Sequence, residues 1–457
     1  MKRIDFENGT ITGNILGAAL PMLIAQILNL LYNIVDRIYI ARIPDIGTTA
    51  LGAVGLCFPI IVIITAFSNL FGSGGAPLFS ISRGGGDTKK AGQIMNTSFT
   101  MLCAGALVLM AAGLLFAAPI LKLFGASDAA LPYAYPYLMI YLLGTLPSMI
   151  ATGMNPFINA QGYSVAGMLS VAIGAVTNFL LDPLFIFVFH LGITGAALAT
   201  VLSQTLSALY VIRFLHRRAE YKVRLLRPAE WKSSLVEAKN IISLGTAGFI
   251  MQLTNSLVSI FCNNVLGATG GDVYISVMTI ISSVRQLVET PIHAMVEGTS
   301  PILSYNYGAR KPDRVKKTIK CAMFYAEAIM LVGFLLFQFL PDKLLGLFSA
   351  SEAMLAIGKP ALRIICFHFL LAGMSIILSS TFQALGNGMF SLIISVCRQL
   401  VVLLPAAWLL SKTGNVNMVW WSFVIAELVS VTLSFVFFAR LDKKIIEPMY
   451  DNAAAVQ

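Results

Sequence analysis

Twelve long apolar stretches, separated by short polar breaks, decide what this chain can fold into. They run over about 15–41, 52–79, 93–118, 133–155, 165–189, 193–215, 240–266, 273–299, 318–340, 357–384, 389–411 and 416–439. A helix needs about 20 such residues to cross the hydrocarbon core of a bilayer. Lipid offers an open backbone no hydrogen bonds, so each stretch is expected to be helical, and the alternating pattern of a membrane β-barrel is absent. The breaks carry turn chemistry, as at Gly84-Gly85-Gly86-Asp87, Asn387-Gly388 and Thr413-Gly414-Asn415. Composition agrees: 57% of residues are hydrophobic and only 11% charged, against about 25% charged in soluble domains. That excludes a soluble enzyme, a disordered chain and a secreted disulfide scaffold. The charge is also too dilute for a face that tracks nucleic-acid phosphates.

Lys and Arg set the orientation. With the N-terminus inside, the inner segments hold Lys2, Arg3, Arg83, Lys89, Lys90, eight in residues 213–239, six in 310–320, and Arg440, Lys443 and Lys444. That is 22 of the 31 basic residues, whereas the outer segments hold five: Arg42, Lys122, Lys343, Lys359 and Lys412. Both termini are therefore expected in the cytoplasm, and the net charge of +10 is largely a topology signal. No cleavable signal peptide is expected, because the start up to Asn14 is polar and the first apolar run is too long. The cysteines (Cys57, Cys103, Cys262, Cys321, Cys366 and Cys397) lie in or beside apolar runs without paired spacing and read as small buried hydrophobes.

The chain also matches itself at an offset of 224. LFGASDAALPYAYPYLMI at 123–140 aligns with LFSASEAMLAIGKPALRI at 347–364, nine of eighteen positions being identical. Pro77, Ser80 and Gly84 pair with Pro301, Ser304 and Gly308, and Ala160 and Gly162 with Ala384 and Gly386. In the first helix the offset drifts to 226, setting Gln26 and Asn29 against Gln252 and Asn255. The predicted organisation is a six-helix bundle in residues 1–215, a basic cytoplasmic linker in 216–239, and a second six-helix bundle with a short cytoplasmic tail in 240–457. Six is an even number, so both halves enter from the same side as parallel repeats about a pseudo-twofold along the membrane normal. Two such bundles with a cavity at their interface suit alternating access.

Carboxylates inside apolar spans cost about 2.5–3.5 kcal/mol each, so each needs a reason. The candidates are Asp36, Asp182, Glu289, Glu297, Glu327 and Glu427. Asp36 falls near the outer end of the first helix. Asn178 precedes Asp182 by one turn on the same face. Asp182 and Thr200 each stand about nine residues from the turn near 190–194, which makes them level in an antiparallel hairpin, roughly 14 Å below that turn. Asp36, Asn178, Asp182 and Thr200 are therefore candidates for one coupling-ion site for H⁺ or Na⁺. Two like charges at one depth favour uptake of a proton or cation between them. The second half has no acid at the matching positions, where Cys262 and Ala406 stand nearby.

Arg285, Glu289, His293 and Glu297 fall four apart on one helical face. They read either as a self-neutralising stripe or as a wall on which Glu289 attracts a cationic substrate. Glu327, Glu427 and Arg398 read as packing pairs between helices, and Arg363 as snorkelling toward the outer interface. Asn29, Tyr32, Tyr141, Asn255, Glu289 and Met295 are the candidates for the substrate pathway, with Tyr137, Met154 and Phe157 as further apolar wall residues. Gly84-Gly85-Gly86-Asp87-Thr88-Lys89-Lys90 lacks phosphate-loop spacing, so no ATP-driven pump is expected. His216 and Glu220 have no second metal-like cluster beside them. The stretch Lys222-Val223-Arg224-Leu225-Leu226-Arg227 is expected against anionic headgroups, with a positional effect.

The run Leu31-Tyr32-Asn33-Ile34-Val35-Asp36-Arg37-Ile38-Tyr39-Ile40 resembles the first helix of multidrug and toxic compound extrusion (MATE) transporters. So do Ala53-Val54-Gly55, Asn178-Phe179-Leu180-Leu181-Asp182-Pro183 and Gln383-Ala384-Leu385-Gly386-Asn387. The likeness covers essentially the whole chain and is greatest to the bacterial multidrug efflux subgroup. It implies a twelve-helix, V-shaped antiporter of the inner membrane that expels organic cations or other amphipathic compounds in exchange for H⁺ or Na⁺. It also implies that Asp36, Asn178, Asp182 and Thr200 form the cation site of the N-terminal lobe. The chain departs from the pattern at Ala41-Arg42, where many relatives have Gly first, and at Asn255, where some Na⁺-coupled relatives carry an acid. No cofactor and no nucleic-acid partner are expected; the partners are a small-molecule substrate and lipid, and a monomer is expected. The rival readings are a lipid-linked precursor flippase of the same superfamily, a metabolite transporter or solute importer, and a membrane-embedded enzyme, for which no nucleophile, base or metal cluster is visible.

Overall fold

The computed structural model describes residues 3–128, 130–348 and 351–454, so Ala129, Ser349 and Ala350 of the repeated stretch lie outside the described residues. The protein is an all-helical polytopic membrane protein. Its first half comprises α1 (Ile11–Ala41), α2 (Gly47–Gly84), α3 (Thr88–Leu123), α4 (Leu131–Leu143), α5 (Thr145–Ala160), α6 (Ser164–Pro183) and α7 (Gly192–Arg217). The second comprises α8 (Trp231–Gly270), α9 (Asp272–Gly308), α10 (Pro312–Phe339), the short α11 (Pro341–Gly346), α12 (Glu352–Ile365), α13 (Phe369–Ala384), α14 (Gly388–Val396), α15 (Leu404–Ser411), α16 (Trp421–Leu441) and the terminal α17 (Glu447–Ala454).

Among the described residues ten helices are long and apolar enough to cross a membrane, or eleven when the bent pair α4 and α5 counts as one span. Of the twelve stretches picked out in the sequence, α9 falls outside that set. Arg285, Glu289, His293 and Glu297 in its middle dilute an otherwise span-length helix of 37 residues. The 55° bend between α4 and α5 has a local cause. Pro147 has no N–H to give the carbonyl of Leu143 and its ring crowds that carbonyl, so the chain closes a tighter turn in which Gly144 N–H reaches Tyr141 O at 2.9 Å. At the equivalent place in the second half, residues Cys366–His368 form a 3₁₀ turn between α12 and α13. The fifth span is also irregular in both halves. A widened π turn follows Pro183 over Leu184–Val188, and another, Cys397–Leu403, joins α14 to α15.

The chain divides into two compact units, Met1–Asp5 with Leu20–Phe249, and Phe6–Ala19 with Ile250–Gln457. The divisions fall inside α1, after Ala19, and inside α8, after Phe249. In the first unit α2 approaches its neighbours through glycines. A Cβ on Gly72 would strike the backbone of Gly153 on α5, and one on Gly245 of α8 would strike the backbone of Leu70 on α2. Lipid gives helices no hydrophobic reason to associate, so close backbone packing of this kind carries the contact. The turn into α3 needs Gly86, whose φ of +79° suits glycine, and the Asp87 side chain caps α3 by accepting from Lys90 N–H at 2.9 Å. The basic linker is tied to α3 by its own backbone: Arg224 N–H donates to Asn96 Oδ1 and Leu226 N–H to Thr100 Oγ1, both at 3.0 Å. Arg224 also pairs with Glu230 at 2.6 Å, and Glu220 with Arg3 at 2.6 Å.

In the second unit Arg398, on the π turn, pairs with the buried Glu427 of α16 at 3.3 Å. Gly174 and Ser203, on α6 and α7 of the first unit, are the repeat counterparts of Arg398 and Glu427, and a Cβ on Gly174 would lie 3.6 Å from Ser207 Cβ and 3.8 Å from Ser203 O. The repeat thus preserves a helix contact while replacing two small residues by an ion pair.

Two consequences for stability follow. Gly72→Val should force α2 from α5 and destabilise the fold by about 1–3 kcal/mol, seen as a lower unfolding midpoint in detergent. Gly92→Ala, where a Cβ meets nothing within 4 Å, should not lower it. Arg398→Leu should leave Glu427 buried and unpaired at a loss of about 3–5 kcal/mol, and adding Glu427→Gln should recover most of that loss.

Candidate functional site

A cluster of buried polar groups, two of them carboxylates, lies in the first unit among residues of α1, α4, α6 and α7. Asn178 and Asp182 stand one turn apart on α6, and Thr200 faces them from α7. The Asn178 amide donates to Asp182 Oδ1 and to Thr200 Oγ1, both at 3.3 Å. All three are buried, with 1%, 0% and 3% of their surface exposed. Asp36 comes to the same place from α1, its carboxyl within hydrogen-bonding reach of Asp182. Yet Asp36 Oδ1 and Asp182 Oδ2 are each buried without a hydrogen-bond partner. Two ionised carboxylates are acceptors only, so the facing pair lacks a donor or a cation.

Tyrosines and an amide surround the pair. Tyr32, one turn before Asp36, lies beside Thr200, and Tyr141 of α4 lies beside Gln204 and Ser148. Tyr137 stacks on Tyr141 with ring centroids 6.2 Å apart and, like Tyr141, lies near Asp36. Tyrosine rings thus adjoin a group of acid, amide and hydroxyl oxygens, and Gln204 Oε1 adds another buried acceptor without a partner. Gln204 went unnoticed in the sequence, although it follows Thr200 by four residues and so shares its helical face.

Of the pathway candidates, Tyr32 and Tyr141 lie beside these acids; the surroundings of the others differ. Asn29 is exposed on α1 and gives its carbonyl to Asn33 Nδ2 at 2.7 Å. Asn255 is exposed on α8, and its Oδ1 accepts from Gln399 Nε2 at 2.6 Å. Met295 is buried within α9. Met154 and Phe157 are fully buried, and Phe157 meets Phe79 edge-on at 5.7 Å, so both are core residues of the first unit rather than cavity walls. Glu289 does not offer a free negative charge: Arg285 holds it at 3.2 Å, and His368 Nε2 lies 3.8 Å from the same oxygen. The stripe on α9 is therefore compensated at Glu289 by Arg285, with a further neighbour from the α12–α13 junction that spacing along one helix does not reveal.

Comparisons with known proteins bear on the family and the fold. The MatE family model matches residues 21–184 and 248–409, one stretch in each repeat. The multidrug export protein MepA of Staphylococcus haemolyticus is 27% identical over 432 residues, covering 94% of this chain and 93% of that protein. The protein of the same name from Staphylococcus aureus is 26% identical, with 92% of each chain covered. Among solved structures, MATE in complex with MaD3S superposes with a TM-score of 0.90, and a multidrug resistance MATE family transporter of the MOP superfamily in an outward-facing conformation with 0.89. Each is 24% identical and covers 99% of both chains, which establishes the fold. With the family model spanning both repeats and the fold shared from end to end, the chain belongs to the MATE family of transporters.

Proposed function

We propose that the protein is a secondary antiporter that exports amphipathic, cationic organic compounds by alternating access, in exchange for H⁺ or Na⁺ held at Asp36, Asn178, Asp182 and Thr200. The observation that carries this reading is the pair of facing buried carboxyls with two oxygens lacking a donor. A proton on one carboxyl would supply the missing O–H, and a Na⁺ would be met by carboxylate, amide and hydroxyl oxygens. Either occupant removes the mutual repulsion and lets α1 stay close to α6 and α7. When the site empties, two bare carboxylates in a low-dielectric setting drive α1 away from α6. A device that changes the packing of one helix on ion release is what coupling to substrate exit requires.

The relatives' name, multidrug export protein, supports the substrate class. Aromatic walls at Tyr32 and Tyr141 suit flat, lipophilic cations, and the flexible Met295 adapts to different shapes. Asn29 and Asn255 are proposed as polar contacts along the pathway. The bias of basic residues supports both termini in the cytoplasm, which places Asp36 in the outer half of the membrane.

The test is dye transport by the purified protein in proteoliposomes, with pH and Na⁺ gradients imposed separately. A lipophilic dye cation should move against its own gradient under at least one of them. Asp36→Asn and Asp182→Asn should each reduce that gradient-driven component at least about fivefold, the lower end of ordinary coupling free energies. Movement indifferent to both gradients, or a parental rate in Asp36→Asn, would sink the proposal.

A further inference from the structure

The second unit holds its own pair of facing acceptors, at a helix break. His368 ends the 3₁₀ turn between α12 and α13 and is 5% exposed. Its Nδ1 lies 2.7 Å from the carbonyl oxygen of Ile365. A carbonyl accepts only, so Nδ1 carries the hydrogen, and in the neutral ring Nε2 then presents a lone pair. That lone pair looks toward Glu289 Oε1 across 3.8 Å, too far for a hydrogen bond and close enough for an ion pair. With the ring neutral, the arrangement lacks one proton.

We propose that His368 and Glu289 form a proton-binding site of the second unit, distinct from the Asp36–Asp182 pair, in which a proton added at Nε2 closes a hydrogen-bonded ion pair across the α12–α13 break. Hydronium supplies the proton, which adds to the Nε2 lone pair and leaves water behind, while the other hydrogen stays on Nδ1 and is donated to the Ile365 carbonyl. Glu289 then bridges two cations, Arg285 on its own helix and the imidazolium. The surroundings restrict the alternatives. His293 of α9 also faces Glu289, and the Cys262 thiol of α8 faces Arg285. From α16 the Phe423 ring covers the guanidinium at 5.7 Å. From α10 Gln338 reaches Cys366 next to the break, and Glu327 lies farther along α13, at Gly373. At the offset of 224, His368 corresponds to Gly144, at the bend between α4 and α5. The first unit has no side chain at its break, whereas the second has a titratable one that ties the break to α9.

The chain has four histidines, His190, His216, His293 and His368, so the full-length protein labelled with ¹⁵N-histidine tests the site directly, without transport. The His368 signal, identified by its loss in His368→Asn, should change from neutral to imidazolium between pH 8.5 and pH 5. Should that variant not fold, replacing the other three histidines by Asn leaves His368 as the only signal. In Glu289→Gln the change should move about one pH unit lower, because the neutral amide no longer favours the charged ring. In Asp36→Asn it should not move, which separates this site from the one proposed for ion coupling. A His368 signal constant over the range, an unaltered titration in Glu289→Gln, or its disappearance in Asp36→Asn would each overturn the inference.

Discussion

Two carboxyl groups that face each other in a lipid-solvated protein, with no donor between them, set the terms for the first unit. Asp36 and Asp182 could have been satisfied by an arginine, as Glu427 is by Arg398. Instead the nearest donor, the Asn178 amide, divides itself between Asp182 and Thr200 at 3.3 Å. One hydrogen bond to a carboxylate contributes about 1.5–3 kcal/mol, less than the combined cost of two acids in spans at roughly 2.5–3.5 kcal/mol each. Under the proposed function, that deficit is what an exchangeable cation would make good. Local backbone helps to maintain it: Pro183 directly follows Asp182, has no N–H to give and opens the widened turn in which Phe189 N–H reaches back to Leu184 O at 2.9 Å. Helix α6 is therefore irregular at the point where it presents Asp182.

How much of this was legible in the sequence depends on whether the relation runs along the chain or across it. The meeting of Asn178, Asp182 and Thr200 needed only one helical turn and equal counts from a shared loop, both one-dimensional quantities. The arrival of Asp36 followed from depth. The bend at Gly144 was available in principle from Pro147. Glu289 is different, because its further neighbour, His368, lies far along the chain on another helix, and nothing in the α9 pattern points to it. Met154 and Phe157 show another limit. Helical spacing identifies a face, but lipid, protein core and a substrate route are all apolar, so hydrophobicity alone does not say which of them a face meets.

Duplication gave the two units one frame, and the residues at matched contacts show how differently each uses it. Gly174 against Ser203 becomes Arg398 with Glu427; Gly144 at the break becomes His368; Ile61 and Thr65 of α2 become Arg285 and Glu289 of α9. The first unit thus keeps small or neutral residues at these contacts and concentrates its charge in one uncompensated pair. The second carries ion pairs at these contacts, Arg398 with Glu427 and Arg285 with Glu289. A compensated pair resists separation, since removing one partner strands the other in a poor solvent, whereas an uncompensated pair changes its packing whenever an ion enters or leaves. Each half of a duplicated bundle can therefore share its helices with the other and still differ in whether its charges hold the structure still or release it.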